Sequence, residues 1–241
     1  MTTIMTGFSP NGRVVYGERF LDTFDRFWPT SVHLQVFVEE PTPIPRNGER
    51  PLWSCPGVRE FIERHRNNPQ HTGQAPVSTW RPKDHEKGYS YRHDSVKFSR
   101  QCFIPETAAL GIPDEQILAW FDADVITNAA VPEGFIEQLI GKADLCYLGR
   151  TNMHTELGFW AVRLNKRTRL FLADLAELWR SDRIFTLPEW HSAFAFDYVL
   201  RRSPELRKNN LTPTGRGAVF MTSPLARYLD HLKGNRKLVY H

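Results

Sequence analysis

The sequence predicts an α/β protein built on a mostly parallel, mixed sheet with helices on its faces. Short apolar runs of strand length alternate along the chain with segments of helical periodicity. A strand, a helix and a second strand follow one another over residues 3–38, and such a unit forms a parallel pair through a right-handed crossover. Two predicted strands end in acidic residues, as is typical of the carboxyl edge of an open α/β sheet.

The first three elements are a strand, a helix and a strand. Thr3 to Phe8 is a short apolar run, and residues 9–12, Ser-Pro-Asn-Gly, are typical of a turn. Residues 16–28 place four aromatic side chains on one helical face, which predicts an amphipathic helix that Pro29 ends. Residues 32–38 alternate as a strand does and run into two glutamates.

The segment from 41 to 90 is the least regular part of the sequence. Five prolines lie between 41 and 57, which predicts an irregular loop. Residues 58–66 predict a short helix. Residues 67–90 contain turn residues throughout and predict a long surface loop, and a structureless loop of that length is usually functional or disordered.

The rest of the chain continues the alternation of strands and helices. Pro132 and Pro188 suit the first turn of a helix, and residues 225–232 predict a short helical turn. We expect a single domain over residues 1–241, with 41–90 as a loop-rich excursion. The remaining predicted strands are 117–121, 144–148 and 157–162, and the remaining predicted helices are 94–103, 132–140, 167–179 and 188–202.

The composition is that of a soluble globular chain, with 41% hydrophobic and 24% charged residues. No apolar run approaches the roughly 18 residues that span a membrane, and no signal peptide is visible at the N-terminus. The three cysteines have scattered spacings that fit neither a disulfide framework nor a zinc motif. We therefore expect reduced thiols and a cytoplasmic location.

Charge is distributed unevenly although the net charge is only +4. Residues 101–145 carry eight acidic residues and one lysine, whereas residues 201–241 carry nine lysines and arginines and two acidic residues. A basic C-terminal part suits contact with phosphate or a polyanion. A solvated basic face explains it equally well.

Asp122 and Asp124 form an Asp-x-Asp motif directly after the apolar run 117–121. The run predicts a buried strand, so both carboxylates are expected at the carboxyl edge of the sheet. Carboxylate oxygens are hard ligands that suit Mg²⁺ or Mn²⁺, and the economical reason to hold such an ion is to neutralise a phosphorylated substrate. Isolated Asp-x-Asp pairs are also common in turns. A metal site is therefore predicted only if a second pattern in the sequence supports it.

That second pattern is His-x-x-Gly-x-x-Lys, formed by His231, Gly234 and Lys237. A neutral imidazole can complete a coordination sphere begun by carboxylates. A glycine lets the backbone approach a phosphate closely, and a lysine supplies a compact positive charge for a diphosphate. A frayed basic C-terminus is the alternative interpretation.

Together the two motifs resemble those of GT-A-fold glycosyltransferases, and most closely the retaining, glycogenin- and galactinol-synthase-like group. Residues 156–159 resemble the strand start that lies beside the donor sugar in that group, and residues 189–192 resemble its Asp-Gln-Asp stretch. The chain also resembles small uncharacterised phage and bacterial glycosyltransferase-like proteins. That resemblance is carried by the segments 92–99, 154–159, 189–191 and 230–234.

The resemblance implies a Rossmann-like GT-A domain that moves a hexose or pentose from a nucleotide sugar, such as a UDP-sugar, with the help of Mn²⁺ or Mg²⁺. Its implied metal ligands are Asp122, Asp124 and His231. Its implied catalytic residues are Glu156, His191 and Asp197. The residues implied to bind the donor are Thr6, Gly7, Phe8, Glu39, Asp94, Lys97, Asp122, Gly234 and Lys237.

Two other functions share parts of this pattern. A nucleotidyltransferase also uses an acidic metal edge, and residues 9–13 are a faint version of its glycine-rich loop. A non-catalytic module that binds nucleic acid or glycans would use the basic tail and the aromatic residues, but it does not require Asp122 and Asp124. The acceptor is left open by the sequence. The resemblance to phage proteins points to a hydroxymethylated base in phage DNA, within the host cytoplasm, as one candidate.

Overall fold

The computed structural model of the chain describes residues 1–40 and 48–237. The predicted irregular segment 41–57 therefore lies partly outside the described residues. The strands are β1 (Thr2–Phe8), β2 (Val32–Val38), β3 (Glu49–Pro51), β4 (Ile117–Phe121), β5 (Val125–Thr127), β6 (Leu145–Arg150), β7 (Met153–Arg163), β8 (Lys208–Asn210) and β9 (Leu229–His231). The α-helices are α1 (Pro10–Gly12), α2 (Glu18–Phe27), α3 (Val58–His65), α4 (Pro82–Lys87), α5 (Ser95–Ala108), α6 (Phe135–Ile140), α7 (Lys166–Arg180) and α8 (Ser192–Arg202).

The main sheet has seven strands in the order β3-β2-β1-β4-β7-β6-β8. Strands β3, β2, β1 and β4 are parallel to one another, and β8 is parallel to β6. Strand β7 runs antiparallel to both of its neighbours, β4 and β6. The predicted α/β class with a mostly parallel, mixed sheet is confirmed.

Helices cover both faces of this sheet. Helices α3, α5, α7 and α8 pack in one apolar cluster, and α2 and α6 pack in the other. Successive strand residues alternate between the two clusters, so Trp120 faces the first and Phe121 faces the second. Because β1, β2 and β4 are parallel, their carboxyl ends meet at one edge of the sheet, which is where Asp122 lies.

The first helical segment begins earlier than the sequence predicts. Ser9 caps α1 by accepting a hydrogen bond of 3.1 Å from the Gly12 amide, so the predicted turn at 9–12 is the start of a helix. A π-helical stretch over residues 13–17 then leads directly into α2. The turn prediction was wrong because Pro10 suits a first helical position as well as a turn.

Three further predictions are wrong in part. Helix α8 begins at Ser192 rather than at Pro188, because the Trp190 amide donates to the Arg92 carbonyl at 2.6 Å and holds residues 189–191 in a loop. The predicted helical turn over 225–232 instead ends in strand β9. The predicted loop 67–90 contains α4, which has a proline at its start.

Strand β9 carries the C-terminal part of the chain back to the Asp-x-Asp motif. It pairs antiparallel with β5 and places His231 opposite Val125. The Leu232 amide also donates to the Asp124 carbonyl at 3.0 Å. This short ladder brings together two motifs that are more than a hundred residues apart in sequence.

Within the described ranges, no helix has both the length and the apolar character needed to cross a membrane. All three cysteines are buried thiols without a disulfide partner.

Candidate active site

Asp122 stands at the carboxyl end of β4, with one of its oxygens held in place. Trp120 lies two residues earlier on the same face of the strand, and its indole nitrogen donates to Asp122 Oδ1 at 2.9 Å. Gln101, on α5, donates to the same oxygen at 3.2 Å. The second oxygen, Oδ2, lies 3.8 Å from His231 Nε2. The carboxylate is therefore oriented toward the imidazole.

Asp124 and His231 are both buried, and they meet without forming a proper hydrogen bond. Asp124 Oδ1 is 2.9 Å from His231 Nε2, yet this buried oxygen has no hydrogen-bond partner with acceptable geometry among the described residues. Asp124 Oδ2 forms an ion pair with the Lys237 ammonium. A buried carboxylate oxygen without a donor is costly in a structure that keeps water out.

These groups fit a divalent cation. One ligand atom each from Asp122, Asp124 and His231 lies within 4.8 Å of the others. Two carboxylates and an imidazole form a donor set that suits Mn²⁺ or Mg²⁺. Asp124 Oδ1, which has no hydrogen bond of acceptable geometry among the described residues, is the atom that such an ion would satisfy. The structure thus brings together the three residues predicted to bind the metal.

Gly158, on β7, makes this arrangement sterically possible. A Cβ atom at this position would lie closer to His231 Nδ1 than side chains ever approach, so only glycine leaves room for the ring. The Gly158 carbonyl also accepts a hydrogen bond of 3.2 Å from the Asp122 amide. The sequence Leu157-Gly158-Phe159 therefore positions the imidazole as well as the strand.

Glu156 lies beneath His231 as a buried, ion-paired carboxylate. Its Oε1 is 3.4 Å from His231 Nδ1, and its Oε2 pairs with the Lys233 ammonium and lies 3.4 Å from Arg150. Burial by itself would raise the pKa of Glu156, but His231 and Lys233 lower it to about 2. Glu156 is therefore charged at neutral pH.

The site concentrates opposite charges away from water. Burial, together with the neighbouring Asp124, raises the pKa of Asp122 above its usual value. Burial would raise the pKa of Asp124 as well, but His231 and Lys237 lower it. Burial would lower the pKa of His231, but its acidic neighbours Asp124, Glu156 and Asp122 raise it to about 9. Such perturbed groups at a sheet edge are typical of functional sites.

In a second cluster of polar side chains, His154 and His191 share the carboxylate of Glu189. Glu189 Oε2 is 2.8 Å from His191 Nε2 and 3.2 Å from His154 Nε2. Its other oxygen accepts a hydrogen bond of 3.0 Å from Arg81. The Nδ1 atom of His191 caps α8 by accepting from the Phe194 amide. Burial lowers the pKa of His191 despite its contact with Glu189.

Asp197 continues this network on the opposite side of His154. It lies 3.2 Å from His154 Nδ1 and accepts hydrogen bonds of 2.5 Å and 3.1 Å from the Thr155 hydroxyl and amide. Asp197, with Glu189, raises the pKa of His154 to about 9. Although His154, Glu189 and His191 lie close enough to hold a metal, hydrogen bonds already account for their ring nitrogens and carboxylate oxygens. We therefore assign them to a hydrogen-bond network.

A cavity of about 560 Å³ is lined by residues of both clusters. Its size is typical of a site for a small molecule or part of a larger one. Asp122 and Glu156 form one side of its wall, and His191 and Asp197 form another. All three residues predicted to be catalytic therefore line the same cavity.

The residues predicted to bind the donor occupy the neighbouring strand ends. Thr6, Gly7 and Phe8 end β1, and the Thr6 hydroxyl is buried without a hydrogen-bond partner among the described residues. A Cβ on Gly7 would lie 2.6 Å from the end of the Ile104 side chain, so a larger residue here would displace that side chain. Glu39 follows β2 and forms an ion pair of 2.5 Å with Arg100.

Asp94 and Lys97 form the start of α5 rather than a side-chain ion pair. Asp94 caps the helix by accepting from the Lys97 amide at 3.0 Å, and its other oxygen accepts from the Tyr89 hydroxyl at 2.9 Å. Lys97 is exposed and lies one helical turn before Gln101, the residue that contacts Asp122. Gly234 has a left-handed backbone, with φ of 59°, in the turn that leads to Lys237.

Sequence reasoning missed three residues of this site: Gln101, Arg150 and Lys233. The Lys97-x-x-x-Gln101 spacing was an available signal, because it places both side chains on one face of α5. Lys233 lies inside the C-terminal motif, but its contact with Glu156 depends on the β5–β9 ladder. No local pattern reveals the contact of Arg150 with the His154 carbonyl.

The fold is that of GT-A glycosyltransferases. No protein-family model and no curated protein sequence match the chain. Among solved structures, it is similar to a glycosyltransferase involved in the glycosylation of the major capsid of PBCV-1, with a TM-score of 0.51 and 15% identity over 99% of each chain. This likeness confirms the fold that the two motifs predicted.

Two more distant structures are also glycosyltransferases. Mouse xyloside xylosyltransferase 1 has a TM-score of 0.49 and 9% identity, covering 88% of this chain and 85% of that one. The glycosyltransferase GlyE of Streptococcus pneumoniae TIGR4 has a TM-score of 0.43 and 10% identity, covering 87% of this chain and 44% of that one.

Proposed function

We propose that the chain is a metal-dependent glycosyltransferase that moves a hexose or pentose from a nucleoside-diphosphate sugar to an acceptor hydroxyl. The observation that carries this proposal is the gathering of Asp122, Asp124 and His231 at the carboxyl edge of the sheet, around a buried Asp124 oxygen that has no hydrogen bond of acceptable geometry among the described residues. The cavity beside Asp122 supplies room for a sugar and its acceptor. The shared fold supports the same reaction class.

In this proposal the donor nucleotide would lie along the ends of β1 and β2. Thr6, Gly7 and Phe8 would line it, and Glu39 would contact its base or ribose. Asp122 would contact ribose and metal, whereas Asp124 and His231 would bind the metal. A bound Mn²⁺ or Mg²⁺ would supply positive charge where the nucleoside diphosphate departs.

Lysine side chains of the protein would also place positive charge beside the departing nucleoside diphosphate. Lys237 already lies at Asp124, and Gly234 gives the preceding turn a conformation that lets its backbone approach a phosphate. Lys97 stands one helical turn from the residue that contacts Asp122. Stabilising the leaving group in a site that excludes water is often the largest catalytic contribution.

The three cavity residues predicted to be catalytic have different contacts and so different proposed roles. Glu156 is the candidate to stabilise positive charge at the anomeric carbon, because it stays ionised beside the cavity. His191 is the candidate to hydrogen-bond the sugar or the acceptor. Asp197 is held by Thr155 and His154, which suits it to orienting the His154 ring more than to accepting a proton directly.

The acceptor we favour for testing is a hydroxymethylated base in phage DNA. The basic C-terminal part of the sequence is the feature that favours a polyanionic acceptor. A UDP-sugar is the first donor to test. In this chain residues 10–12 form a helix that Ser9 caps, which does not favour the glycine-rich loop of a nucleotidyltransferase.

The proposal is tested by a thermal-shift panel of nucleotide sugars with and without Mn²⁺. The right donor should raise the melting temperature in the presence of Mn²⁺, because it binds only the folded state. Asp124→Asn should remove the Mn²⁺-dependent part of this shift. Asp114→Asn is the matched control, since Asp114 pairs with Arg169 on the surface.

Product analysis then separates the reaction classes. A glycosyltransferase releases a nucleoside diphosphate, whereas a nucleotidyltransferase releases pyrophosphate. If no nucleotide sugar or nucleoside diphosphate binds with Mn²⁺, or if Asp124→Asn behaves like Asp114→Asn, the proposed function is wrong.

A further inference from the structure

A second cavity adjoins the cavity beside Asp122. The second cavity has a volume of about 260 Å³ and extends toward Asn210 and Pro213. The two share a boundary formed by Arg150, Met153, Thr155, Asp197 and Arg201, which we call the ridge. Because these five residues line both cavities, the two lie side by side, and we call them together the groove. Its combined length suits a chain-like ligand better than an isolated small molecule.

The ridge carries more positive than negative charge. Arg201, in the last turn of α8, is exposed and has no ion-pair partner within residues 1–40 and 48–237. Arg150 is fixed in place by the His154 carbonyl at 2.5 Å. Its one acidic neighbour, Glu156, is shared with Lys233. The carboxylate of the ridge, Asp197, is already occupied by Thr155 and His154.

Two guanidinium groups with surplus charge select an oxyanion. Arginine presents a planar set of donors that matches phosphate or carboxylate geometry. Met153 lies beside them on the ridge and is 53% exposed, so an apolar surface is also available to the ligand. The middle of the groove therefore suits an anionic group on a chain with apolar parts.

The larger cavity has an aromatic wall. Tyr91 and Phe98 both line it and stand 5.6 Å and 5.9 Å from the His191 ring between their centroids. Tyr91 is 45% exposed. Flat bases stack on such rings in proteins that bind single strands or extrude a base from a duplex. This wall lies in the same cavity as Asp122, which is where an acceptor hydroxyl must be presented.

We propose that the groove binds an unpaired nucleic-acid strand, with one base in the larger cavity against Tyr91 and Phe98 and a backbone phosphate between Arg150 and Arg201. This inference rests on the proposed function, because it identifies the strand as the acceptor. Arg201 is then the residue that selects an anionic acceptor, and Tyr91 is the residue that holds the base.

The test measures binding of a labelled single-stranded thymidine oligonucleotide by fluorescence anisotropy at several salt concentrations. Arg201→Gln should weaken binding about tenfold and reduce the slope of log affinity against log salt by about 0.7, the value for one lost phosphate contact on a single strand. Tyr91→Ala should weaken binding by roughly tenfold through lost stacking. A peptide nucleic acid of the same sequence, which has no phosphates, should bind far more weakly.

Arg202→Gln is the matched control. Arg202 is the next residue on α8, but its guanidinium lies 5.2 Å from the Tyr198 ring and lines a different cavity. Its substitution should leave oligonucleotide binding unchanged. Equal effects of Arg201→Gln and Arg202→Gln, or equal binding of the peptide nucleic acid, would overturn the proposal. Tighter binding of polygalacturonate than of the oligonucleotide would also overturn it, in favour of an acidic glycan.

Donor binding is measured in the same variants so that the two proposals fail separately. Mn²⁺-dependent binding of a nucleotide sugar should persist in Arg201→Gln, because Arg201 does not contact the metal cluster. If the donor binds and the oligonucleotide does not, only the acceptor assignment is wrong. If neither binds, the proposed function fails as well.

Discussion

At the scale of single residues, Gly158 shows how one missing side chain sets the position of a predicted metal ligand, His231. The His231 ring occupies the space where a Cβ of residue 158 would lie. Both ring nitrogens of His231 face carboxylates, with Asp124 on one side and Glu156 on the other. A shift of the ring would therefore disturb the whole cluster.

Gly158→Ala should weaken Mn²⁺ binding by roughly ten- to a hundredfold, as substitutions behind metal-ligating histidines commonly do. The added methyl group forces the imidazole away from Asp124. Isothermal titration with Mn²⁺ measures the affinity, and far-UV circular dichroism at the same temperature confirms that the variant is folded. An unchanged affinity in a folded variant would show that His231 does not bind the metal.

The four motif residues of the metal cluster could be predicted from the sequence, whereas their surroundings could not. Asp122 and Asp124 follow a strand whose apolar composition is unmistakable, and His231 and Lys237 share one short motif. Gln101 approaches Asp122 only because α5 packs beside β4, and that packing is a tertiary property. The predicted metal-binding, donor-binding and catalytic roles all stay predictions.

At the scale of elements, one buried carboxylate joins two strands and a helix. Asp144 precedes β6 and accepts hydrogen bonds of 2.9 Å from Arg207 and 3.0 Å from Arg167. The Arg207 amide, directly before β8, also donates to it at 3.0 Å. Asn165, which caps α7, donates at 3.0 Å. This residue fixes the edge of the sheet to the helix that covers it.

Asp144→Asn should lower the free energy of unfolding by about 1–3 kcal/mol, because the buried position loses its charge-assisted hydrogen bonds. Urea unfolding measures this difference. The surface substitution Asp114→Asn provides the reference, with an expected change below about 0.5 kcal/mol. Equal losses in the two variants would contradict the role assigned to Asp144.

The contacts of Asp144 also predict that the folded protein loses stability at low pH. Hydrogen bonds from Arg207, and then from Arg167, hold the pKa of Asp144 well below its usual range. A carboxyl with a lowered folded-state pKa stabilises the fold above its unfolded pKa of about 3.9, and this contribution is lost as pH falls through the lower folded value. The stability of Asp144→Asn should therefore decline less steeply than that of the wild type below about pH 4.

The contacts of His154 predict the opposite pH dependence, a loss of folding stability as the pH rises above neutral. Asp197 and Glu189 raise the pKa of His154 to about 9, from an ordinary value of about 6.5. Its stabilising contribution is fully present below about pH 6.5 and is lost as pH rises through about 9. Subtracting the unfolding free energies of His154→Gln from those of the wild type isolates this contribution. A difference that does not change between pH 6 and 10, as rough limits, would show that His154 carries no such charge.

Three strands of the parallel part of the sheet were predicted with accurate bounds. Strands β1, β2 and β4 match the predicted bounds within a residue or two, because buried apolar residues recur along each of them. Strands β3 and β8 have three residues each, too few for any periodicity to appear. Strand β9 could not be predicted, since its pairing with β5 depends on the rest of the fold.

At the scale of the whole molecule, the alternation of strands and helices predicted the class of the fold but not the reversal of β7. A parallel order follows from crossovers through helices, and β1, β2 and β4 obey it. Strands β6 and β7 are joined by two residues, and a connection of that length forces an antiparallel hairpin. The single-domain organisation of residues 1–241 stays a prediction.

The ion pair between Lys237 and Asp124 affects the binding of both Mn²⁺ and a nucleoside diphosphate at this site. The Lys237 ammonium and a divalent cation compete for the Asp124 carboxylate. The measured affinity for the metal therefore includes the free energy needed to break the ion pair between Lys237 and Asp124. Lys237→Met should thus bind Mn²⁺ more tightly while it binds a nucleoside diphosphate less tightly, since the same ammonium that competes with the metal would attract the phosphates. Titrating that variant with each ligand in turn would reveal opposite signs. Lys237 would then stay paired with Asp124 until a nucleoside diphosphate binds and attracts the ammonium to its phosphates.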